Sequence, residues 1–105
     1  MAMQTHLDIL VRPGQRDGAI AAFRARRVFE ECAETVPGFL GAELLTPPGD
    51  ADRICIIAHW RDTAAAHQWL DSPVRAAQDR DLSHFAAEPP KSRILEPTGY
   101  RLGRD

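Results

Sequence analysis

The sequence has few cysteines, few aromatics, little net charge and no long apolar run, and each shortage removes a class of protein. No stretch approaches the roughly 20 apolar residues of a transmembrane helix. Met1–His6 lacks the basic start and apolar stretch of a signal peptide. A soluble cytoplasmic protein without a membrane partner is expected. A formal net charge of −2 over 105 residues supplies no basic field, and the cluster Arg24, Arg26 and Arg27 is countered by Glu30, Glu31 and Glu34. Nucleic acid is therefore not expected as a partner. Gly-rich phosphate loops, nucleophile elbows, zinc-ligand spacings and internal repeats are all missing, so no metal is expected either. Two cysteines cannot form a disulfide framework. In the topology derived below, Cys32 points from a helix toward a sheet and Cys55 lies on that sheet's far face, so both are expected to be reduced.

What is present is the usual globular balance, with 44% hydrophobic and 27% charged residues. The length suits one domain with one modest core. We expect a single domain over 1–105, its core at about 5–97 and a short tail at 98–105.

The chain is organised around residues 54–70, ICIIAHWRDTAAAHQWL. Ile54, Ile56, Ala58 and Trp60 alternate onto one face and Cys55, Ile57 and His59 onto the other, the pattern of a central strand. Asp62 can cap a following helix that carries Trp69. Upstream, Thr5–Val11 alternates as a first strand, with Leu7, Ile9 and Val11 on one face and His6, Asp8 and Leu10 on the other. Asp17 can cap one long helix to about Thr35, which Val36-Pro37-Gly38 stops. Ala21, Ala25, Val28, Phe29, Cys32 and Val36 form its stripe. Ile20 and Phe23 fall off that stripe, so the helix either bends or touches something else with its first turns. Phe39–Thr46 is a second strand, joined to 53–60 by the loop Pro47-Pro48-Gly49-Asp50. Ser72-Pro73 opens a helix over about 73–86. Asp81 intrudes on its apolar side, which suggests a break near Asp79–Asp81 or a functional cavity there. Ser92–Glu96 is a last strand.

The order β, α, β, β, α, β is that of an α+β, ferredoxin-like fold, an antiparallel four-stranded sheet with helices on one face. Leu10, Cys55 and Ile57 would then lie exposed on the other face. A homodimer with its sheets face to face would cover them, with His59, Asp8 and His6 as a polar cluster near its axis.

VPGFLGAELL, then a loop, then IIAHWRDTAAAHQWLDSP resembles the antibiotic-biosynthesis-monooxygenase-like family of dimeric α+β barrels. The resemblance runs from His6 to about Glu96. It implies a cofactor-independent monooxygenase that oxidises a small aromatic or polyketide-type quinol or phenol with O2. On that pattern Trp60 and Arg80 match residues implicated in catalysis, whereas the family's Asn and Tyr fall on Ile56 and Ala66. In the haem-degrading branch Trp69 matches the helix Trp, but Leu7 replaces the strand Asn and Asp79 stands where a histidine ligates iron. Haem is therefore disfavoured unless His84 takes that place.

The candidate catalytic residues are thus Trp60, Arg80 and His84. Arg80 and His84 stand at i and i+4, where both could reach one ligand, the Arg to stabilise a phenolate and the His to take its proton. Leu7, Ile9, Ile56, Trp69 and Phe85 are the candidate substrate-binding residues. Arg75, further round the same helix, is expected to matter little, and His67 is read as a surface residue. The alternative is a dimer of the same fold that binds a small ligand without chemistry.

Overall fold

The computed structural model describes residues 2–104. Its elements run β1 (Met3–Leu10), α1 (Arg16–Ala25), α2 (Val28–Thr35), β2 (Phe39–Leu45), β3 (Arg53–Trp60), α3 (Thr63–Leu70), α4 (Pro73–Leu82) and β4 (Lys91–Leu95), with a 3-10 turn at Ser83–Phe85. The four strands form one antiparallel sheet in the order β2-β3-β1-β4. The α+β ferredoxin-like expectation holds, with β3 and β1 central.

The register explains why one face is dry. Leu7 pairs with Ile56, Ile9 with Ile54 and Thr5 with Ala58, so the alternating sets of the two central strands coincide on the helix-covered side. Ile54, Ile56, Ala58 and Trp60 are all buried. On the opposite side Leu10, Cys55 and Ile57 are only half-buried, and His59 is exposed.

Two short polar side chains start the later helices. The Asp62 carboxylate accepts the amide of Ala65 at 2.9 Å, and the Ser72 hydroxyl accepts that of Val74 at 3.0 Å with Pro73 just behind it. The amide held by Asp62 also keeps its carboxyl below the usual range.

The single helix expected over 17–35 is two. Arg27 adopts φ 58°, the left-handed region, and separates α1 from α2. Its charges hold the break: Arg27 pairs with Glu34 at 2.6 Å, and Arg26 bridges Glu31 and, at 2.9 Å, Asp81. The change of direction gives Ile20 and Phe23 a cluster of their own with Ile9, Val11 and Ile54. Asp17 does not cap α1; Gln15 occupies that position without a side-chain bond, and Asp17 sits in the first turn. Nor does Asp81 intrude on the core, because it is exposed and meets Arg26. Beyond Leu95, residues 96–104 have no regular structure.

Candidate active site

The core is not continuous. One apolar cluster gathers Met3, Val36, Ala58, Trp60, Ala65 and Ala66, and a second gathers Ile9, Val11, Ala19, Ile54 and Ile56. Between sheet and helices lies a cavity of about 300 Å³ lined by members of both. Ala19, Ala42, Ala58 and Ala86 stand on its wall, where larger side chains would close it. Phe23, Phe29, Phe39 and Phe85 line it as well, with both tryptophans. A space of this size with aromatic walls suits a small planar molecule.

Each expected residue has a definite place. Trp60, Leu7, Ile9, Ile56, Trp69 and Phe85 all border the cavity. Arg80 and His84 do not: both are exposed on the outer side of α4 and the turn after it. The His84 ring lies against that of Phe85 at 4.2 Å between centroids, and its carbonyl accepts the Arg12 Nε–H at 2.8 Å. Trp60 is fully buried and edge-on to Phe39, 5.6 Å between centroids, and its indole N–H donates to the Thr5 hydroxyl at 3.0 Å.

The groups that give the cavity polarity come from elsewhere. Arg75, Gln78, Asp79 and Leu82 recur at helical spacing on α4, and all four line it. Among the described residues the Arg75 guanidinium makes only long contacts, 3.5 Å to the Leu70 carbonyl and 3.9 Å to Asp79. Most of its N–H donors are therefore uncommitted. Gln78 is buried and donates to the Val28 carbonyl at 3.3 Å and to Glu31 at 3.0 Å, a bond that lowers the Glu31 carboxyl below its usual range. On the sheet side, the Thr5 hydroxyl accepts from Trp60, and its own proton makes no side-chain hydrogen bond among the described residues. Cys32 also borders the space, but burial pushes its thiol up to about 12, which makes it an apolar wall rather than a nucleophile near neutrality. Both cysteines are free, as expected.

The spacing 75, 78, 79, 82 was visible in the sequence, yet three polar residues in that stripe look like a solvent face. Thr5 carried no signal before the register brought it diagonal to Trp60.

Among the described residues, no three His, Cys, Asp or Glu side chains come together as a metal site, and no helix is long and apolar enough to cross a membrane.

Comparison with known proteins gives one family: the antibiotic biosynthesis monooxygenase model matches residues 5–80. A monooxygenase of Streptomyces coelicolor solved with the ligand nanaomycin D has the same fold, with a TM-score of 0.80 at 23% identity over 98% of this chain and 93% of that one. A cofactor-independent oxygenase of Streptomyces nogalater, solved as a mutant, superposes with a TM-score of 0.76 at 17% identity over 94% of this chain and 95% of that one. Among curated proteins, a mycobilin-producing heme oxygenase of Mycobacterium tuberculosis is 39% identical over 44 residues. That match spans 42% of each chain.

Proposed function

Because the chain belongs to the antibiotic biosynthesis monooxygenase family, we propose that it oxidises a small phenol or quinol with O2 inside the cavity, without a cofactor. The observation that carries this is the pair formed by half-buried Arg75 and largely exposed Asp79, 3.9 Å apart on the wall of a mostly apolar space. Asp79 takes the phenolic proton and Arg75 stabilises the phenolate, which the low-polarity surroundings would otherwise disfavour. The phenolate gives an electron to O2, and the two radicals join at the ring carbon para to the oxygen. Loss of the proton from that carbon, with cleavage of the O–O bond, leaves a quinone carbonyl and one water. One ring C–H and the phenolic O–H are thereby oxidised by one O2. The Streptomyces enzymes of the same fold support this reading, one a cofactor-independent oxygenase and the other solved with nanaomycin D.

In this proposal Arg75 and Asp79 take the roles expected of Arg80, from the resemblance, and of His84, from its i, i+4 spacing. Trp60 has its N–H already committed to Thr5, so it contributes a flat wall and excludes water. We further propose a homodimer joined through the outer sheet face, where Leu10, Cys55, Ile57 and Leu45 remain partly uncovered.

The heme oxygenase match favours a second reading, haem degradation, and the donors of this chain do not fit it. Among the described residues no imidazole lines the cavity, and Asp79 stands at the position the resemblance gave to the iron ligand.

The test is oxygen uptake on a panel of naphthols and anthrones, with mass-spectrometric transfer of one atom of labelled O2 to the quinone. Uptake with incorporation supports the proposal. A panel that is bound but never oxidised would leave the ligand-binding alternative.

A further inference from the structure

Gln78 is 4% exposed and borders the cavity. Its amide orientation follows from its neighbours. The Val28 carbonyl and the Glu31 carboxylate both accept only, so the NH2 end must face them and both its hydrogens are used. The other end, Oε1, accepts no hydrogen bond among the described residues. No buried side-chain nitrogen or oxygen among them lacks a partner. An unpartnered Oε1 is therefore not fully enclosed, and the cavity is an opening that Gln78 borders.

The amide is also held still. Glu31 is gripped from the other side by Arg26, which in turn meets Asp81 at 2.9 Å, so the chain Gln78–Glu31–Arg26–Asp81 ties α4 to the break before α2. A fixed acceptor in an apolar space lowers the free energy of a ligand that brings a donor and rejects one that cannot.

We propose that Gln78 selects the substrate: its Oε1 accepts a hydrogen bond from a hydroxyl of the bound aromatic that stays protonated, distinct from the hydroxyl ionised beside Arg75. This rests on the reading of the cavity as the oxidation site and narrows its substrates to aromatics with at least two hydroxyls. Side chains three or four apart on a helix start 5–6 Å from one another, a separation comparable with that of two hydroxyls in a meta relationship on one ring. The Thr5 hydroxyl, which accepts the Trp60 indole N–H, would donate its own proton from the sheet side to an acceptor oxygen of the same ligand.

Anaerobic titration of tryptophan fluorescence tests this without turnover, using 1,3-dihydroxynaphthalene and 3-methoxy-1-naphthol, which differ by one donor. The full chain should bind the diol about tenfold more tightly. Gln78→Met removes the acceptor and should bring the ratio near one. Gln78→Lys keeps donors for Val28 and Glu31 but has no acceptor, so it should lose the ratio with the fold intact, as judged by its thermal midpoint. A ratio near one in the wild type, or a tenfold ratio that survives both substitutions, overturns the proposal and leaves Gln78 a clamp between helices. Oxygen uptake on the same preparation separates the two claims: uptake without discrimination sinks the selection alone, whereas discrimination without uptake sinks the oxidation. Failure of both ligands to bind removes both.

Discussion

The Trp60 indole N–H donates to the Thr5 hydroxyl at 3.0 Å, across two strands that are central to the sheet. The tryptophan is wholly buried, so that N–H loses its hydrogen-bond partner if the hydroxyl goes. Thr5→Val should cost about 1–3 kcal/mol in urea unfolding, and Thr5→Ser should recover most of it. Equal stability of wild type and Thr5→Val would show that the indole finds another acceptor.

Arg75→Ala should lower turnover by roughly 10²–10³, the usual effect of removing one preorganised charge beside a developing anion. Arg80, exposed and outside the cavity, should tolerate the same change with little effect. Steady-state kinetics on one substrate compares the two, and the reverse ranking would return the anion site to Arg80.

Gly38 is needed for its missing side chain. A Cβ there would stand 2.6 Å from the Ala65 Cβ, closer than two carbons pack, and its carbonyl holds the Arg61 amide at 2.8 Å. Overpacking of this kind typically costs about 1–3 kcal/mol. Gly38→Ala should show that loss as a lowered thermal midpoint, with α3 displaced from the β2 entry.

Cys32 imposes a limit at alkaline pH. Its thiol is raised from 9.0 to about 12 by burial, so above pH 9 the unfolded chain releases a proton that the folded chain keeps. The contribution to stability is complete below pH 9 and is lost as pH rises toward 12. The fall in stability between pH 8 and 10 should therefore be shallower in Cys32→Ala than in wild type, measured by urea unfolding. Parallel curves would mean that Cys32 titrates normally.

Ile57→Glu tests the proposed dimer. Ile57 lies half-buried on the outer face between His6 on β1 and Glu43 on β2. A carboxylate there would have to be desolvated in any seam, so sedimentation at micromolar concentration should show the variant as a monomer and the wild type as a dimer. A monomeric wild type removes the dimer.

The sheet was legible because alternation in Thr5–Val11 and Ile54–Trp60 has no competing explanation. The break at Arg27 was not, since a left-handed turn at a non-glycine residue has no local signature and is held by charges up to 55 residues away, at Asp81. The candidate site divides in the same way. Trp60, Trp69 and the apolar strand residues were found because apolar residues mark the inside. Arg75 and Gln78 were passed over because a polar helical stripe reads as a wet surface, whereas Asp79 was marked as the edge of a break or cavity. Only a cavity on that side shows otherwise. Arg80 and His84 came from a resemblance and from i, i+4 proximity, and neither fixes how a helix is rotated about its axis.

The four alanines on the cavity wall keep open the centre of a domain that has little core to spare. A bound substrate would complete that interior, stabilising the folded state in proportion to the logarithm of its concentration. On the proposed reading, the lifetime of the molecule in a cell would be coupled to supply of its substrate: plenty would shield it from proteases, and scarcity would expose it to them. Replacing Ala58 by leucine would sever that coupling, giving a long-lived protein with no room for its chemistry.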